Sequence, residues 1–228
     1  MLIVEGLSKH YMRHGAPRVL FNELNFVLER FGRLAVLGRN GQGKSTLIKI
    51  LGGVISPSSG HVRWRMSASW PLGFGGAFQG GMSGLDNIKF LARIYCREPR
   101  ALARRVEDFA QLGDALTIPV KHYSSGMRAR LAFGLSLAIE FDCYLIDEVI
   151  AVGDAVFRRK CEEELFERRG DRAFIIASHD IGFIANTCRD AIIIENGRAK
   201  YFDDIGEAVD IYAALCDEET VPYAAAAQ

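Results

Sequence analysis

A chain of 228 residues with a hydrophobic share of 49% can bury one sizeable core. Lys plus Arg and Asp plus Glu both total 28, so the chain has no global basic field to hold DNA or RNA by counterion release. No apolar run approaches the roughly 18 residues of a membrane span, and the N-terminus lacks a leader pattern, so a cytoplasmic chain is expected, with peripheral membrane association at most.

From the N-terminus to about residue 65, short strands and turns are predicted in "MLIVEGL", "PRVLFNEL", "NFVLERFG" and "GHVRWRM". In the last of these Val62, Trp64 and Met66 alternate with polar neighbours, which predicts an antiparallel sheet with one wet face. Four continuous apolar bursts, "RLAVLG", "CYLID", "AFIIAS" and "AIIIEN", are separated by helical stretches and predict parallel strands covered on both faces. Between about 85 and 140 the pattern is helical, giving a helical subdomain (85–140) inserted into an α/β core (1–84 and 141–228), all within one domain. "GEAVDIYAALCDEE" reads as a docking helix near the end. Cys96, Cys143, Cys161, Cys188 and Cys216 lie far apart without a CxxC pair, so buried or free thiols in a reducing compartment are expected.

"GRNGQGKST" fits GxxxxGKS/T through Gly38, Gly43, Lys44 and Ser45, after an apolar strand and at the head of a helix. In such a loop the glycines let backbone N–H groups curl around phosphates, Lys44 supplies a compact positive charge, and Ser45 can hold Mg²⁺. Asn40, Gly41 and Thr46 complete the candidate nucleotide contacts. Asp147 and Glu148 close the buried strand "CYLIDE" at the end where ligands of α/β sheets sit. As a mechanical reading, Asp147 orders Mg²⁺ through water and Glu148 polarises the water that attacks the γ-phosphate, although an acidic pair there also suits a helix N-cap. His179 in "SHD" follows another strand, where a structural histidine is common; beside the other motifs it reads as a γ-phosphate sensor. His10, His14, His61 and His122 show no metal-ligand spacing. "YSSGM", at the head of a helix, puts small residues where free N–H donors could meet an anion.

With the phosphate loop, "YSSGM", "CYLIDE" and "SHD" in that order, the chain resembles the nucleotide-binding subunit of ABC transporters over nearly its whole length. The resemblance implies a P-loop NTPase fold of that type: a mixed sheet core, an N-terminal antiparallel β-subdomain and the inserted helical subdomain. It also implies that Ser124 and Gly126 match the signature segment, usually LSGGQ, which meets the γ-phosphate held by a second copy, while Ser125 and Met127 depart from it. Tyr11 falls where the family places an aromatic ring against adenine, a core tyrosine being the alternative, and Asp154 falls at the aspartate linking the two sites.

Three longer strings, 69–87, 121–157 and 161–169, are similar to the ATPase subunit of capsular polysaccharide exporters. That resemblance implies ATP and Mg²⁺ as cofactors, hydrolysis at two sites clamped between two copies, and attachment to the cytoplasmic face of the inner membrane. Implied partners are a separate transmembrane permease and envelope-spanning polysaccharide export proteins, with no nucleic acid. The usual Mg²⁺-contacting glutamine near residue 70 is replaced by "WPLGFG", which leaves Gln79 as the nearby candidate. Segment 70–84 would couple to the permease, or Trp70, Phe74 and Phe78 would pack in the core. Related alternatives are an O-antigen or teichoic-acid exporter, a non-catalytic subunit, and an ABC ATPase acting on DNA or ribosomes; the last usually carries long coiled coils or two ATPase domains, which are not evident here.

Overall fold

The computed structural model describes residues 1–13, 15–72, 78–147 and 155–217. Its strands are β1 (Leu2–Arg13), β2 (Ala16–Leu28), β3 (Arg33–Leu37), β4 (Ser59–Trp64), β5 (Cys143–Asp147), β6 (Ala173–Ala177), β7 (Asp190–Glu195) and β8 (Arg198–Phe202). Its helices are α1 (Lys44–Leu51), α2 (Gly84–Ile94), α3 (Pro99–Ala110), α4 (Ser125–Ile139), α5 (Ala155–Glu162), α6 (Ile181–Thr187) and α7 (Ile205–Asp217).

The central sheet has the order β5-β6-β3-β7-β8. The four apolar bursts form its parallel strands, as their unbroken hydrophobicity requires. Successive residues go to opposite faces: Leu34, Val36, Leu145, Ile175 and Ile192 enter one core, and Ala35, Leu37, Tyr144, Phe174 and Ile193 the other. Each large side chain removed from water contributes about 1.5–3 kcal/mol, which fixes the register of this sheet. The strand β8 was not anticipated; it pairs antiparallel with β7 across Asn196 and Gly197, which have φ of 49° and 78°. Those positive angles suit the two-residue hairpin turn that an Asn-Gly pair favours.

The second sheet, β2-β1-β4, is antiparallel as expected and packs with α1 over the first core. Two strands predicted at 17–32 are one, β2, because the apparent turn at Glu23–Asn25 is absorbed as an irregularity. Glu23 has φ of 50°, and Asn25 fills the gap: its Oδ1 accepts from Gly6 N–H at 2.7 Å and its Nδ2 donates to Glu23 O at 2.6 Å.

Three helices occupy segment 85–140, each begun by a side-chain cap: Ser83 for α2, Glu98 with Pro99 following for α3, and Ser124 for α4. Residues Leu131–Ile139 of α4 are buried on every side, and Gly134 lets α3 approach closely, since a Cβ there would lie 3.2 Å from Val106 O. The apolar faces of these helices share a cluster with Ile146 and Phe174. Trp70 packs edge-on against Phe141 with ring centroids 5.5 Å apart, and Phe78 lies partly buried on the same cluster, whereas Phe74 is outside the described residues. The cysteines are free thiols, and burial pushes Cys161 and Cys188 up to about 12.

Candidate nucleotide-binding site

The register of the central sheet levels three strand ends. Val36 on β3 and Asp147 on β5 both lie opposite Ala177 on β6. The chain therefore leaves β3 into Gly38, and β6 toward His179, at the edge that carries Asp147. This is the carboxyl edge, where α/β sheets bind ligands.

The loop from Gly38 to Gly43 turns tightly between β3 and α1. Gly38 has φ of 151°, and a Cβ there would sit 2.5 Å from Ile194 O, so β7 leaves no room for a side chain. Gly41 and Gly43 have φ of 81° and 119°, the latter just before α1 begins. The resulting loop exposes backbone donors at a helix start, which is an anion cradle. Lys44 is only 5% exposed; its ammonium donates to Gly38 O at 2.6 Å and Arg39 O at 3.4 Å, folding across the loop. Ser45 Oγ donates to Asp147 Oδ1 at 2.8 Å, joining groups 102 residues apart.

These residues open onto a cavity of about 540 Å³ lined by Asn40, Gly41, Gly43, Lys44, Ser45 and Thr46, and on the other wall by Tyr11, Met12 and Leu20. Tyr11 is 44% exposed, which removes the core-tyrosine reading, and the Lys9 ammonium lies 4.7 Å from its ring centroid. Arg18 and Arg39 also line the cavity, and no acidic residue does among those described. Neither arginine was singled out by sequence, nor was Gln42, whose Nε2 donates to Glu195 Oε1 at 3.0 Å and whose Oε1 accepts from Asn196 N–H at 3.2 Å. These two hydrogen bonds tie the loop to the β7–β8 turn. Arg18 reaches the cavity through its antiparallel pairing with Tyr11, a register that the local sequence pattern does not carry.

Other predicted residues lie elsewhere. Ser124 caps α4, its Oγ accepting from Met127 N–H at 3.2 Å, and Ser124 and Ser125 are exposed. Neither they nor Gly126 line the cavity of the same chain. Tyr123 is buried beneath them and donates to Ala115 O at 2.6 Å. Gln79 is exposed and does not line the cavity; its backbone is held by Asn87, which accepts from Gln79 N–H at 2.7 Å and donates to Gln79 O at 3.1 Å. Asn87 is fully buried and was missed in sequence, where it sits inside a helical pattern without a distinguishing signal. His179 is exposed beyond β6. Glu148 and Asp154 lie outside the described residues.

The arrangement suits a nucleoside triphosphate with a hard divalent cation: three cationic side chains, a glycine cradle, and a hydroxyl and a carboxylate in contact. Among the described residues no group of three or more His, Cys, Asp or Glu could hold a metal. Fold and site thus define a phosphate-loop nucleotide-binding protein. The ABC transporter family model matches residues 21–151, and the chain belongs to that family. It is 48% identical over 212 residues to the ATP-binding protein BexA of Haemophilus influenzae, covering 93% of this chain and 98% of BexA. It is 47% identical over 215 residues to the capsule polysaccharide export ATP-binding protein CtrD of Neisseria meningitidis serogroup B, covering 94% and 100%. The fold also matches the dimeric post-hydrolysis structure of the ATP-binding cassette MJ0796 bound to ADP and Pi, with TM-score 0.71 and 18% identity over 90% of this chain and 99% of that one.

Proposed function

We propose that this chain is the ATP-hydrolysing subunit of an ABC exporter that drives capsular polysaccharide across the inner membrane. The observation that carries the reading is the 47% identity across the full length of CtrD, a capsule polysaccharide export ATP-binding protein. The phosphate loop and Lys44 bind the β- and γ-phosphates, and Ser45 and Asp147 would hold Mg²⁺. When bound, the ion neutralises charge on the transferring phosphoryl group. Tyr11 stacks on adenine, Glu148 takes the proton of the attacking water, and His179 donates to the γ-phosphate.

A second copy supplies Ser124 and Gly126 to each nucleotide, and Asp154 links the two sites. The placement of Ser124 and Gly126 away from the cavity of their own chain supports this sharing. Closure around the γ-phosphate moves a separate transmembrane permease, and phosphate loss reopens the pair. No helix among the described residues is long and apolar enough to cross a membrane. The transport path belongs in this reading to the permease, with this chain docked on it at the cytoplasmic face, where ATP is supplied. Envelope-spanning export proteins would carry the polymer onward.

The test is Lys44→Ala in the source organism, with protein level checked by immunoblot and polysaccharide measured on the surface and inside. Polymer lost from the surface and retained inside is expected. Unchanged amounts in both places would refute the export reading.

A further inference from the structure

We propose that Arg18 is a nucleotide-contacting residue whose guanidinium holds the ribose–α-phosphate stretch. The inference rests on the reading of the 540 Å³ cavity as the ATP site. Tyr11 and Arg18 are directly paired across the β1–β2 hairpin, so their side chains rise side by side on one face. Arg18 Nη2 donates to Gly41 O at 3.0 Å, which places the guanidinium against the phosphate loop. Arg18 thus joins the wall that would carry the base to the loop that would carry the phosphates. A nucleotide stacked on Tyr11 with its terminal phosphates at Lys44 must pass Arg18 with its ribose and α-phosphate.

The chemistry suits that position. A guanidinium has five N–H donors in a planar fork, and the Gly41 bond engages one nitrogen. Phosphate oxygens match this fork. A positive charge here adds to Arg39 and Lys44 in a cavity whose described lining has no carboxylate. The competing role is purely local: the Gly41 bond would hold the loop, and the nucleotide would feel Arg18 only through it.

The two roles separate by phosphate count. An α-phosphate contact is common to ATP, ADP and AMP, whereas a distorted loop weakens the β- and γ-phosphates. Binding of each nucleotide to the full-length chain would be measured by calorimetry for the unaltered protein, Arg18→Ala and Arg18→Lys. Arg18 is exposed, so these variants are expected to fold. The expected result is a loss on the order of tenfold in Arg18→Ala, similar for the three nucleotides, with part recovered in Arg18→Lys. Unchanged affinities in Arg18→Ala would overturn the proposal, as would a loss confined to ATP and ADP. Failure of the unaltered chain to bind ATP would instead refute the nucleotide-site reading and the Arg18 contact with it.

Discussion

Replacing Gly126 by Asp should separate folding from catalysis. An added Cβ at Gly126 meets nothing nearer than Ser124 Oγ at 3.9 Å, so the site has room. The first turn of α4 holds no acidic residue, and a carboxylate there faces the positive end of the helix dipole, worth about 0.3–1 kcal/mol. Removing a glycine from a helix adds roughly 0.3 kcal/mol. Together these terms approach about 1 kcal/mol, which would raise the melting midpoint by roughly 2–4 °C for a chain of this size. In the proposed dimer, however, the new charge stands against the γ-phosphate of the partner's nucleotide. Two like unit charges at about 4 Å repel by roughly 4 kcal/mol at an effective dielectric constant of 20, and exposure reduces this. A fall in ATP turnover on the order of 10²- to 10³-fold is therefore expected with unchanged or raised thermal stability. Thermal unfolding and phosphate release, measured on the same preparation, check both halves. Turnover like that of the unaltered chain would exclude Gly126 from the partner's nucleotide site, and a midpoint lowered by several degrees would mean that the head of α4 has no room for the side chain.

Gly38→Ala attacks the other half of the site. Its Cβ would fall 2.5 Å from Ile194 O at a φ of 151°, so the loop must shift away from β7, at a cost of about 1–3 kcal/mol. Urea unfolding should show that loss, and ATP binding should weaken on the order of tenfold or more; unaltered binding would contradict a rigid loop. Asp142 carries a pH dependence. The Ser67 backbone N–H and then its hydroxyl, at 2.9 and 2.8 Å, hold the Asp142 carboxyl below its usual range despite partial burial. Because the folded-state value is depressed, the stabilisation is complete above the ordinary aspartate value of about 4 and is lost as the pH falls through it toward the folded value. Asp142→Asn should therefore lose less stability than the unaltered chain between about pH 6 and pH 3, and parallel losses would exclude Asp142 as a source.

The parallel core was legible because its strands are buried on both faces, so that "LAVL" and "AFIIA" are apolar without interruption. The phosphate loop was legible because its glycine spacing is local and its strand and helix are its immediate neighbours. What local pattern cannot supply is register. Arg18 reaches the site by pairing with Tyr11, and Gln42 by meeting Glu195 and Asn196, contacts set by the assembled sheets. At Glu23–Asn25 the polar residues resemble a turn, yet Asn25 satisfies the displaced backbone and the strand runs on. The strand β8 is short and half-exposed, so its alternation carried little signal beside the stronger runs before it.

In the proposed pair each ATP is held by Lys44 of one copy and Ser124 and Gly126 of the other. The most direct test is ATP turnover in membranes carrying the transporter, prepared from cells that express Lys44→Ala, Gly126→Asp, or both together. Each variant alone should be inactive. In an equal mixture about half the pairs are mixed, and a two-fold arrangement gives each of those one intact site, so turnover near a quarter of normal is predicted. A mixture as inactive as either variant alone would contradict the shared site.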